Sequence, residues 1–151
     1  MLARKGILLA VIVAIVALGA AAVAGAGASA PVASKSGQRV LLIANCFKPT
    51  FKPPKVIIAC GDASLGARGM TWSSWTRKTA DGTGTGFVND CDPDCVHGKT
   101  HTAPIELLLS KPQLCSNGKR VFAKLRYVWP SGAPPGSANG ATPIGCKLIA
   151  L

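Results

Sequence analysis

Alternation of apolar and polar positions is clearest between residues 120 and 129. Val121, Ala123, Leu125, Tyr127 and Trp129 share one face, while Lys124 and Arg126 take the other. A period of two predicts a strand with one buried face. Ile105, Leu107 and Leu109 alternate with Glu106, Leu108 and Ser110 and predict a second half-buried strand. Residues 40–44 form an apolar run. Residues 55–60 (KVIIAC) are β-branched and bounded by proline and Gly-Asp, the signature of a short buried strand. Residues 70–75 (MTWSSW) predict a further strand, with Met70 and Trp72 on one face and Trp75 on the other. In residues 82–86 glycine and threonine alternate, so Gly82, Gly84 and Gly86 share one face of a strand. Such a bare face either lets a large ring lie flat on the backbone, with Trp72 or Trp75 as the natural cover, or marks bulges and curvature, and the alternative is a flexible glycine loop. Residues 144–151 predict a last strand pinned by Cys146.

The punctuation between these runs is strong. Residues 47–54 hold Pro49, Pro53 and Pro54 and read as an irregular or extended linker. Residues 61–69 carry three glycines and read as a loop, as do residues 89–99, broken by Asp90, Pro93 and Gly98. Residues 131–143 are rich in Pro, Gly and Ala and predict a long loop. No amphipathic helix and no internal repeat is read after the N-terminal segment. Short strands with turn signals between them predict an all-β domain. A small disulfide-stapled β-sandwich is favoured, because loops of this length suit connections between sheets, with a small β-barrel as the alternative.

The first residues follow a different rule. Arg4 and Lys5 precede an unbroken apolar run over residues 7–18, and small residues continue to Ala30. This is the order of a signal peptide, predicted here as a signal helix over residues 1–28 with cleavage after Ala26 or Ala28. Residues 29–38 read as a flexible leader, and residues 39–151 as a single domain. The alternative is an uncleaved anchor, since residues 7–30 carry no charge and are long enough to span a bilayer.

All six cysteines follow that segment: Cys46, Cys60, Cys91, Cys95, Cys115 and Cys146. An even count behind an export signal predicts three disulfides in an oxidising compartment. Cys115 with Cys146 is the first choice, because it ties the C-terminus to the sheet. Cys91 with Cys95 and Cys46 with Cys60 complete that set. A rival pairs Cys60 with Cys91 or Cys95 and leaves Cys46 to take the other, and loop entropy separates the two sets only weakly.

The chain carries 17 basic and 6 acidic residues, a formal net charge of +11. Such a charge favours anionic neighbours: envelope polymers, lipid headgroups or acidic proteins. No basic run exceeds two residues, so no specific nucleic-acid site is expected. Membrane contact is expected only through an uncleaved signal segment.

Chemistry concentrates in residues 89–101 (NDCDPDCVHGKTH), which hold three of the six acidic residues, two cysteines and both histidines. Cys91, Cys95, His97 and His101 are zinc-ligand types, but ligand pairs are usually separated by a dozen or more residues. Asp90, Asp92 and Asp94 offer oxygens to calcium, but lack the glycine turn and closing glutamate of a calcium loop. The favoured reading is a solvent-facing loop tightened by disulfides, with no metal or other cofactor. No serine lies in a nucleophile-elbow pattern, and no paired carboxylates suit glycoside hydrolysis. Trp75, Asp90, Asp92, Asp94, His97 and His101 are the candidate binding residues, with Trp75 the candidate for an exposed aromatic platform.

The segments C60GDA, W72SSW, G82TGTG, N89DCDPDC and G98KTHTAP resemble small uncharacterised secreted proteins of actinobacteria, over about residues 54–129. That resemblance implies an exported protein and carries over no site. The expectation is a secreted, non-enzymatic domain that binds, or plays a structural part, in the cell envelope or outside the cell. The alternative is a secreted hydrolase with its site near His97 and His101.

Overall fold

In the computed structural model, residues 38–149 are described. The expected signal peptide, the alternative anchor and the leader up to residue 37 lie outside the described residues. Among the described residues eight strands run in chain order: β1 (Val40–Ile43), β2 (Pro49–Thr50), β3 (Lys55–Ile57), β4 (Leu65–Trp75), β5 (Ala80–Asn89), β6 (Thr100–Leu114), β7 (Arg120–Val128) and β8 (Gly140–Pro143). A 3-10 turn, Cys146–Ile149, follows. The expectation of an all-β, disulfide-tied chain is met.

Where the sandwich reading expected two sheets, one continuous sheet curls into a half-barrel, the form nearer the barrel alternative. Its order is β2-β1-β7-β6-β5-β4-β3, with β8 also on β7. The β4–β5–β6–β7 meander is antiparallel throughout. The free edge of β7 is shared: β1 pairs with it in parallel through Val40↔Arg120 and Leu41↔Val121, and β8 covers residues 124–127. The Ile57 N–H donates to the Ala44 carbonyl at 2.6 Å, joining the end of β3 to the end of β1.

The core lies inside this curl. Val40, Leu42, Val56, Ile105, Leu107, Leu109, Phe122 and Leu125 are almost wholly buried in one cluster. A smaller cluster of Ile43, Val121 and Cys115 sits apart from it. The glycine face of β5 is the tightest part. A methyl group built on Gly82 would stand 2.6 Å from the Trp72 ring, and one on Gly84 2.6 Å from the Met70 sulfur. At Gly86 it would overlap the Trp129 ring. Trp72 is thus one of the two covers expected, and Trp129 is the second ring on that face.

Three local expectations are corrected. Residues 61–69 are not all loop, for β4 begins at Leu65. Gly69, at φ 62°, lies in a bulge between Arg68 and Thr71, so a glycine read as loop is a kink within a strand. Trp75 does not face away from Trp72. A second register shift, between Trp72 and Ser74, rotates it back, and the two rings meet edge-on with centroids 4.7 Å apart. At the C-terminus the Pro/Gly-rich segment ends in strand β8, and the expected last strand is a 3-10 turn instead. The Lys124↔Pro143 pair ends β8, the Ile144 N–H still donates to the Ala123 carbonyl at 2.9 Å, and the Cys115–Cys146 disulfide holds the start of the turn.

The disulfides are Cys46–Cys60, Cys91–Cys95 and Cys115–Cys146, the first of the two pairing sets. They suit an oxidising compartment. Among the described residues no helix is long and apolar enough to cross a membrane.

Candidate functional site

The β5–β6 connection is the loop the sequence singles out. Its ends are fixed by the ladder at Asn89↔Thr100 and Val88↔His101. Cys91, at φ 53°, opens a turn that brings the Cys91 and Cys95 Cα atoms to 3.8 Å, closer than the usual window for a disulfide. Asn89 bridges that turn. Its Oδ1 accepts the Cys91 N–H at 2.9 Å and its Nδ2 donates to the Cys95 carbonyl at 3.0 Å.

Two of the three acids work inward on the loop, while the exposed Asp92 gives only its backbone N–H. Asp90 Oδ1 accepts the Lys99 N–H at 2.8 Å and the Asp92 N–H at 3.2 Å, while its Oδ2 meets His101 Nε2 at 2.8 Å. The His101 contact is the largest of these effects, and together they push the Asp90 carboxyl down to about 2 from 3.8. Asp94 Oδ1 accepts the backbone N–H groups of Val96 and His97 at 2.9 Å each, and its Oδ2 lies 2.8 Å from His97 Nδ1. The His97 side-chain contact, then the His97 N–H, holds the Asp94 carboxyl below its ordinary value.

Each histidine is therefore bound to its own aspartate, and the two pairs are not one centre. A His–Asp pair is the orienting half of a hydrolytic unit. Among the described residues no serine, threonine or cysteine side chain hydrogen-bonds either ring. The four zinc-type residues do not converge, because Cys91 and Cys95 hold each other. Asp62 stands beside that pair, with a carboxylate oxygen 4.0 Å from the Cys95 sulfur. The three ligand atoms lie within 4.8 Å of one another, but the bonded sulfurs offer no thiolate. The Ser64 N–H lowers the Asp62 carboxyl. A polar cleft of about 540 Å³ adjoins the loop, with Ser64, Asn89, Tyr127, Ser137 and Asn139 in its wall and no charged side chain among its lining residues.

Trp75 belongs to a different region. Its Nε1–H donates to the Val40 carbonyl at 2.8 Å, and its ring packs edge-on against Phe122 and Phe51. Half-buried between core and surface, it is a support rather than a platform. What it supports is the stretch after β1, which the sequence reading passed over as irregular. There Phe47 is 64% exposed and Phe51 39%. Arg39 and Lys52 lie over the Phe51 ring, 4.9 and 5.9 Å from its centre. A cleft of about 290 Å³ opens beside Phe51, with Arg39, Trp75 and Arg77 in its wall. The signal was present: Phe-Lys-Pro occurs twice, at residues 47–49 and 51–53, and the first acidic residue of the chain is Asp62. Its four-residue period was too short to register as a repeat.

Compared with known proteins, the chain matches no family model, no curated protein and no solved structure.

Proposed function

We propose that the chain is an exported, non-enzymatic binding domain whose basic surface engages anionic components of the cell envelope. One observation carries this reading. Among the described residues the only ion pairs join His97 to Asp94 and His101 to Asp90. Every lysine and arginine there is left without a carboxylate partner, so the positive field is not cancelled locally and acts on the surroundings. Three disulfides and an apolar leader behind Arg4 and Lys5 support export.

Two measurements test it. Titration with a soluble polyphosphate by calorimetry should give binding that weakens steeply as salt rises, since exposed charges are screened beyond about 10 Å at 0.1 M. Absence of binding at low salt sinks the proposal. Mass spectrometry of the secreted protein should find a mature N-terminus between Gly25 and Ser34, whereas a full-length membrane-bound chain would favour the anchor. The hydrolase alternative rests on the Asp90–His101 pair, and unchanged activity on any substrate found after replacing both histidines would remove it.

A further inference from the structure

Residues 44–60 form a hairpin tied by a disulfide and a backbone bond. β2 folds back on β1 through Leu42↔Thr50 and Ile43↔Pro49, and Cys46–Cys60 closes the segment. The return is anchored from the core, where Trp72 Nε1–H donates to the Pro53 carbonyl at 2.9 Å. Pro53 itself is buried, whereas Phe47, Lys48, Phe51, Lys52, Pro54 and Lys55 are exposed. Rings and cations are therefore held outward by a scaffold whose ordering cost is largely met before any ligand arrives.

We propose that this hairpin seats on an anionic lipid bilayer, Phe47 and Phe51 entering the headgroup boundary while Lys48, Lys52, Lys55 and Arg39 meet the lipid phosphates. This rests on the reading that the domain binds anionic envelope components, and it names the surface and the component. Charge selects the sign: residues 38–61 contain Arg39, Lys48, Lys52 and Lys55 and no acidic residue. Basic side chains next to an anionic membrane surface each strengthen attachment about fivefold. The phenylalanines select lipid over a soluble polyanion. Two exposed apolar rings add nothing to phosphate binding in water, but stabilise contact with an interface that can take them in. The charged ends of Arg39 and Lys52 lie over the Phe51 ring itself, so ring and cations are presented to the surroundings together. Nucleobases would need the open face of Phe51, which Arg39 covers at 4.9 Å. The cleft beside Phe51 places Arg39 and Arg77 in one wall, and two guanidinium forks there suit a phosphodiester headgroup.

The test is co-sedimentation of the mature chain with vesicles of phosphatidylcholine, with and without phosphatidylglycerol, alongside titration with soluble polyphosphate. The wild type should bind the phosphatidylglycerol vesicles and leave the neutral ones in solution. Phe47→Ser should lower vesicle affinity about tenfold, the loss of part of one ring's burial, while polyphosphate affinity stays unchanged. Phe47 makes no ring contact among the described residues, and an unchanged melting temperature confirms that this variant folds. Lys48→Gln with Lys52→Gln and Lys55→Gln should lower vesicle affinity about a hundredfold at low salt. Polyphosphate binding without vesicle binding would overturn the lipid inference and leave the proposed function standing. Binding to neither would overturn both. Equal binding to neutral vesicles, or no effect of Phe47→Ser, would also refute it.

Discussion

Two loops of this molecule are each closed by one disulfide, and they spend their charge in opposite ways. In the β5–β6 loop, Asp90 and Asp94 each take backbone N–H donors and a histidine ring, so the charge is used to hold the loop itself. In the 44–60 hairpin the lysines bind no carboxylate, Phe47 is left in water, and Phe51, packed on Trp75, stays 39% exposed. A carboxylate can stabilise a turn because backbone N–H groups are donors. A lysine could serve a turn only by donating to a backbone carbonyl, and among the described residues no lysine side chain of the hairpin makes such a bond. The acid-rich loop, which looks more like an active site in sequence, is thus the more self-contained of the two. The plain-looking proline segment is the one that faces outward.

The largest expected effect falls on the sheet beneath both. Gly86→Val drives a branched side chain into Trp129 and Ile105 and should cost more than about 3 kcal/mol, by thermal unfolding. Both regions should fail together, which makes it the control for the rest. The disulfides then separate them. Removing Cys46–Cys60, which closes a separation of 14, should cost about 3 kcal/mol, and removing Cys91–Cys95, with a separation of 4, about 2 kcal/mol. Only the first should weaken polyphosphate binding. If opening the acidic loop weakens it as much, the contrast between the regions is wrong.

Single charges sharpen the contrast further. Arg39→Gln should lower polyphosphate affinity by about 1 kcal/mol, roughly fivefold, while Asp94→Asn should leave it unchanged or slightly higher. The smallest effect is acid-dependent. The folded Asp90 carboxyl is lowered from 3.8 to about 2, so in acid the unfolded chain binds its proton first. Its stabilisation is complete above pH 3.8 and is lost as pH falls through about 2. Melting temperatures across that window should fall less for Asp90→Asn than for the wild type. Identical slopes would show that the His101 contact does not hold the loop.

What the sequence made legible follows physical range. The inward faces of β6 and β7 could be read because alternation is local, and Ile105, Leu107, Leu109 and Leu125 are nearly inaccessible as expected. The glycine face of β5 was readable for the same reason. The reading failed where an extra residue shifts the register. Bulges at Arg68/Thr71 and Trp72/Ser74 are invisible to a strict period of two, and so Trp75 was placed on the wrong face. Phe122 was missed because it is buried on the face that alternation gives to Lys124 and Arg126. There the β6–β7 register is unbroken from Ser110↔Lys124 to Pro112↔Phe122, and Lys111 between them, at φ 55°, has no partner in the ladder. At the candidate loop the residue types are legible in the sequence but their pairing is not, because it depends on backbone donors that no side-chain pattern reveals. The basic hairpin escaped notice because exposure of Phe47 and Phe51 is a tertiary fact.

The most direct test of the contrast is residue-resolved mapping by nuclear magnetic resonance while polyphosphate is added to the folded chain. The account predicts shifts concentrated at Arg39, residues 46–55 and Arg77, with the amides of residues 89–99 unmoved. Shifts centred on Asp90, Asp94, His97 and His101, with the hairpin silent, would contradict it.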